Sequence, residues 1–211
     1  MAAFRSYGLG LAVLTAVWIW AQALPNRPPK PPKPPAPPDR IADVRRKLER
    51  IKPVDVTAQR ALAYSRTFLK SAEQAEQSGR TFQADRLADA ADSMIHVAEH
   101  QEHLRTGGGP KGPPPAESIS DHLQQVYFRV QQADYFLKQS ADSRAAAFPK
   151  WARDFYQLAT RGYERKDWVA ADENAKCAEE VVKCLEDLAQ ATTMTGPLPP
   201  PPPPAPKGPA H

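Results

Sequence analysis

The chain has little of what disulfide scaffolds, sheets or nucleotide sites are made from. It carries two cysteines and ten glycines in 211 residues. Two cysteines cannot build a disulfide framework, and neither a CxxC pair nor a CxxCH haem-attachment site is present. No stretch alternates apolar and polar residues at the period of a half-buried strand. A phosphate-cradling glycine loop, a nucleophile elbow and a paired-carboxylate arrangement are missing too, so the chain reads as non-enzymatic. A basic face is also lacking, although the formal net charge is +4. Residues 39–106 hold twelve Lys/Arg against eleven Asp/Glu, and residues 117–193 hold ten against thirteen. The positive excess sits on Arg5 and in the proline-rich segments, which excludes the basic footprint that nucleic acid needs.

Proline and alanine are what the chain has in quantity. Of its 24 prolines, all but Pro53 and Pro149 crowd into 25–38, 110–115 and 197–209. Proline fixes φ and removes the amide donor, so these stretches favour extended polyproline II over any core. Residues 24–38 thus form a Pro-rich linker, 107–116 a Gly/Pro linker and 194–211 a Pro-rich tail. Ahead of them, Arg5 precedes an uncharged apolar run from Gly8 to Trp20, and Ala21-Gln22-Ala23 follows as an A-x-A cleavage site. Residues 1–23 therefore read as a signal peptide. The alternative is an uncleaved membrane tether through residues 7–23. Either way the expected location is outside the cytoplasm, periplasmic or extracellular. A Pro-Lys spacer behind such a segment is similar in composition to the periplasmic arm of TonB-like proteins.

Between the proline segments the apolar residues recur at helix spacing. Asp39 caps a first helix carrying Ile41, Val44, Leu48 and Ile51, which Pro53 stops. Asp55 caps a second with Ala61, Tyr64, Phe68, Ala72 and Ala75 on one stripe, ended at Ser78-Gly79. A third runs from about Thr81 to Arg105 with Ala84, Leu87, Ala91, Met94, Ile95 and Ala98 inward. In the second half, a helix from Glu117 or Ser118 shows Ile119, Leu123, Val126, Val130, Ala133 and Leu137 as a seam. Phe148-Pro149 opens the next helix and Asp167 caps the last.

The two halves are related. A shift of 87 positions places Arg66, Phe68 and Ala72 on Arg153, Phe155 and Ala159, and Asp85 and Glu99 on Asp172 and Glu186. Tyr64 meets Trp151, Met94 meets Val181 and Ile95 meets Val182. The expected fold is all-α: an antiparallel bundle of two related three-helix units, 39–106 and 117–193, arising by tandem αα-hairpin duplication. Each unit is small enough that a shared core is expected. Gly162-Tyr163…Ala171…Ala175…Ala178 resembles tetratricopeptide-type and HEPN-type helical hairpins over about 40 residues, without their diagnostic positions, and no function is carried over.

The one cluster with chemical potential is His96, His100 and His103, with Asp92 and Glu99 nearby. All three histidines point away from the Ala91 and Ala98 stripe. His at i and i+4 can chelate one divalent ion, and Asp92, a turn back, adds an oxygen. Asp92, His96, His100 and His103 are thus the candidate ligands for Zn, Ni or Cu; the same pattern also fits a solvated polar face. Cys177 and Cys184 lie about 10 Å apart along one helix, too far for a disulfide. They read as packing residues of a monomer, against the alternative of a disulfide-linked dimer. The second unit is rich in aromatics, among them Tyr127, Phe128, Tyr135, Phe136, Trp151, Phe155, Tyr156, Tyr163 and Trp168, most of them expected in the core. Tyr156 and Tyr163 flank the stripe and are placed to line a groove. The functional expectation is an exported binding or scaffolding module with extended proline-rich arms. Its partner would be a protein or cell-envelope component, and divalent-metal binding through the histidine face is the alternative.

Overall fold

Six α-helices and no strand make up the described residues of the computed structural model, which are 39–52, 55–107, 115–140 and 142–193. The expected signal peptide or tether, the first proline linker, most of the 107–116 linker and the tail lie outside them. In chain order the helices are α1 (Arg40–Arg50), α2 (Val56–Gln77) and α3 (Thr81–Thr106), then α4 (Ala116–Ser140), α5 (Phe148–Glu164) and α6 (Trp168–Thr193). A short 3₁₀ turn, Ser143–Ala145, precedes α5. No helix among the described residues is long and apolar enough to cross a membrane.

Local chemistry sets the helix ends. Asp39 accepts from the Ala42 amide at 3.0 Å, and Asp55 from Thr57 and Ala58 at 2.6 and 3.0 Å. Asp167 accepts from Ala170 at 3.1 Å. Each carboxylate satisfies amides that the helix itself leaves without partners. Pro149 occupies the first turn of α5, where no amide donor is needed. Gly107 ends α3 in the left-handed region at φ 85°.

The turns α2–α3 and α5–α6 are alike bond for bond. Gly79 and its counterpart Lys166 both have positive φ, 72° and 59°. Arg80 donates to the Ala75 carbonyl and Asp167 to the Gly162 carbonyl, each at 2.9 Å. Gly79 donates to Glu76 at 2.8 Å and Lys166 to Tyr163 at 3.0 Å. Both are Schellman endings, built once with glycine and once with a lysine that accepts the left-handed strain.

α3 and α6 run antiparallel through the middle of the bundle, α2 lining one side and α4 and α5 the other. Small residues line both helices, Ala84, Ala88, Ala90, Ala91 and Ala98 on α3 and Ala171, Ala175, Cys177 and Ala178 on α6 all being buried, and Cys177 meets α3 at Val97 and Gln101. One apolar core therefore joins both halves. Its aromatic part contains Tyr64, stacked with Phe68 at 6.2 Å and edge-on to Phe148 and Trp151 at 4.9 and 5.7 Å. Phe68 and Phe155, at matching positions, are both buried, as are Ala91 and Ala178.

Most of the aromatics expected in the core of the second unit are there, Phe155 buried and Phe136, Trp151, Tyr156, Tyr163 and Trp168 packed against the core, while Tyr127, Phe128 and Tyr135 are 45%, 68% and 59% exposed. The α4 seam from Ile119 to Ala133 faces α5 and α6, and these three rings lie on the outer side. The solvated polar face also read on α3 does need correcting: between Arg86 and Leu104 none of its residues is exposed. Ala90 and Val97, outside its expected stripe, are fully buried, because α6 covers the side that α2 leaves open.

A β-carbon added at Gly162 would lie 2.7 Å from the Ala171 backbone nitrogen and 3.0 Å from the Ala170 carbonyl carbon. Gly162→Ala is expected to cost about 1–3 kcal/mol of stability through this overpacking. Lys166→Gly should add roughly 1 kcal/mol by relieving the left-handed penalty. Urea denaturation of the two variants checks both signs.

Candidate functional site

The crossing of α3 and α6 gathers polar groups at each of its ends, and the two clusters obey the same positional rule. At one end Arg86 of α3 donates to Asp187 at 3.1 Å and to Gln190 at 3.3 Å on α6. At the other end Glu173 of α6 meets His100 at 2.8 Å and His103 at 3.1 Å on α3. The shift of 87 positions relates 86 to 173, 100 to 187 and 103 to 190. Each contact at one end is thus the partner-swapped image of a contact at the other, the pattern of an isologous two-fold interface. Charges are inverted: Arg86 is flanked by Asp89 at 3.1 Å, and Glu173 by Lys176 at 3.1 Å.

Of the four expected metal ligands, the fold brings His100 and His103 together and separates the other two. His96 lies between Glu99 at 2.9 Å and Asp92 at 3.6 Å. Asp92 accepts from Lys47 of α1 at 2.7 and 2.9 Å. The Asp92 and Glu99 carboxylates push the His96 imidazole up to about 9. Burial works against the Asp92 carboxylate, but His96 and Lys47 outweigh it and hold it down at about 2. These two residues form a charged network and not a chelate. His100 behaves oppositely: burial lowers it below the ordinary imidazole value despite Glu173.

The residue that sequence reasoning missed is Glu173. Its side chain is 4% exposed, yet it sits 70 positions from His103. Both Nδ1 atoms meet its Oε2, while Lys176 holds its Oε1. His100, His103 and Glu173 offer ligand atoms all within 4.8 Å of one another. His103 also lines a pocket of about 270 Å³ with Ile51, Lys52, Ala58, Ala98, Glu99 and Glu102. A larger concavity, about 470 Å³, lies near the opposite end of the crossing between Ser71, Arg80, Gln83, Asp142, Arg144 and Leu188. Arg144 there is taken up by Asp142 at 2.6 Å and Ser71 at 2.9 Å, with its guanidinium over the Phe68 ring.

Cys177 and Cys184 are fully buried. Helices of the same chain cover the band they occupy. Burial pushes the Cys177 thiol up to about 12 and Cys184 well above its ordinary value, so neither supplies a thiolate to a site.

Asp187 is the other perturbed group. Burial, then Asp89, raise it from 3.8 to about 7, although Arg86 opposes them. Arg86 fails to prevail because its guanidinium is shared by two carboxylates. With the folded value raised, Asp187 binds its proton more tightly when folded. Its contribution to stability is full below pH 4 and is lost as pH rises to about 7. His96, also raised, contributes below its ordinary 6.5 and loses that contribution as pH rises through about 9. Thermal melts from pH 4 to 10 should fall in both windows. Asp187→Asn should flatten the first window alone, and His96→Gln the second alone. Comparison with known proteins gave no match to a family, a curated protein or a solved structure, so functional readings rest on this chain's own surfaces and clusters.

Proposed function

We propose that the chain is an exported, non-catalytic helical module that binds extended proline-rich segments along the outer face of α4, its own carboxy-terminal tail being the first occupant. The exposed aromatic row carries the reading: Phe128 and Tyr135 stand seven residues apart on one line of α4, with Tyr127 beside Phe128 at 5.6 Å between ring centroids. Seven helical residues rise about 10.5 Å, close to the roughly 9.3 Å of one polyproline II turn. Two rings at that spacing can each take a proline from successive turns. Gln124 and Gln131, exposed on the same side, can donate to carbonyls that a polyproline helix leaves free.

Chain connectivity favours the tail as occupant. α4 and α6 run parallel, since His122 meets Glu179 and Arg129 meets Glu186. Thr192 donates to the Ser140 carbonyl, so the last described turn of α6 lies beside the end of α4 nearest Tyr135. Twelve residues in polyproline II reach about 37 Å, the length of α4. An external partner, protein or cell-envelope component, would present the same chemistry. The partner-swapped clusters and the identical turns support the finer reading of the fold as a tandem hairpin duplication. In it only the second unit lengthened its leading helix into α4 and so acquired this face.

Exposed substitutions such as Phe128→Ser and Tyr135→Ser should leave stability within about 0.5 kcal/mol. A nitroxide at Ala205→Cys in the full chain is expected to broaden amide signals from Gln124 to Lys138, and the double variant should abolish that broadening. Uniform broadening, or broadening unchanged in the double variant, overturns the proposal.

A further inference from the structure

We infer that His100, His103 and Glu173 form a binding site for a divalent transition metal, with Zn²⁺ the ion their donor set matches best. Two imidazole nitrogens and one carboxylate oxygen are donors that zinc accepts in four-coordinate sites. They come from two helices, α3 and α6, so the bundle fixes them.

The distances suit the ion. A tetrahedral zinc with bonds of 2.0–2.1 Å sets its ligand atoms about 3.3 Å apart. The two imidazole Nδ1 atoms lie 2.8 and 3.1 Å from Glu173 Oε2, so each contact opens by only a few tenths of an ångström to admit it. Lys176 and the α6 backbone fix the carboxylate: the Lys176 ammonium holds Oε1 at 3.1 Å and Asp172 Oδ2 at 2.5 Å. That leaves Oε2 as the single oxygen presented to the imidazoles, the outer-shell support that metal carboxylates need. His103 is a third exposed and lines the 270 Å³ pocket, so the ion can be reached from solvent through it and a water can serve as fourth ligand. Such a site has three protein donors and an open position, and so exchanges its ion.

The other end of the same crossing is a control within the molecule. There Arg86, Asp187 and Gln190 occupy the equivalent positions, and a guanidinium fills the place where an ion would go. The fold alone therefore does not produce the donor set. Only the α3 carboxy-terminal end carries it, independently of the aromatic face of α4.

The test is calorimetric titration of the metal-stripped full chain with ZnCl₂ at neutral pH. One site with Kd of about 1 µM or tighter is expected, accompanied by a rise in melting temperature. Titrated with Co²⁺, the chain should show visible bands of tetrahedral intensity. His103→Ala and His100→Ala should each weaken binding at least about tenfold, and His96→Ala should leave it unchanged. Absence of saturable binding overturns the proposal. So does binding that survives His103→Ala or disappears in His96→Ala, which would place the ion on the outer face of α3. Should His100→Ala lose its helical circular dichroism, the His103 variant, a third exposed, and Glu173→Gln decide the matter.

Discussion

The close antiparallel packing of α3 on α6 is the constraint from which the other features follow. Buried small residues line both helices, so each accepts a covering helix on more than one side. Ser65 on α2 is drawn into the same economy, donating to the Ala91 carbonyl at 2.7 Å. Gly162 fits against Ala171 only because it has no side chain. Helices so close must be apolar on more than one side. Their long polar side chains are consequently pushed to the two ends of the crossing, where they can reach past the alanines.

At those ends, desolvation makes pairing compulsory. A buried carboxylate or guanidinium without a partner costs several kcal/mol, so each must be matched locally. The two ends meet the same demand with opposite polarity, Arg86 answered by carboxylates and Glu173 by imidazoles and an ammonium. The match is imperfect at the Arg86 end, where Arg86 Nε and Asp187 Oδ2 find no hydrogen-bond partner. Burial first, and then the neighbouring Asp89 carboxylate, make Asp187 resist ionisation there. Imidazoles at the other end satisfy Glu173 without a second carboxylate, and the arrangement is left with donors suited to an ion.

Much of this fold was legible in the sequence because helix ends and stripes are local. Asp39, Asp55, Asp167, Gly79 and Pro149 each act within one turn, and the α2 and α4 stripes follow from spacing alone. The α4 seam even implied the exposure of Phe128 and Tyr135, since both lie opposite Ile119 and Val126 around the helix. Composition, which counts aromatics as core, pointed the other way and was the weaker guide. The site was less legible. Its carboxylate comes from a helix 70 positions away, and nothing local to His100 announces Glu173. One signal was available: α3 places Ala88, Ala90 and Val97 outside its main stripe. An apolar back of that kind means a second covering helix, hence histidines near a neighbour and not in open solvent.

The cysteines show how one packing decision suppresses a reactive side chain. They stand where the first half of the chain has Ala90 and Val97, so the crossing accepts them as small apolar groups. Cys177 Sγ lies 3.2 Å from the Gln101 amide nitrogen and faces the α3 backbone at Val97. A thiol in that position does not ionise, because burial raises it far above neutrality. In an oxidising compartment unpaired thiols invite intermolecular bridges. Here a bridge would first require α3 and α6 to separate, and the same separation would dismantle both polar clusters. The chain thus carries two cysteines outside any disulfide at the one place where their chemistry is suppressed by the contact on which the fold depends.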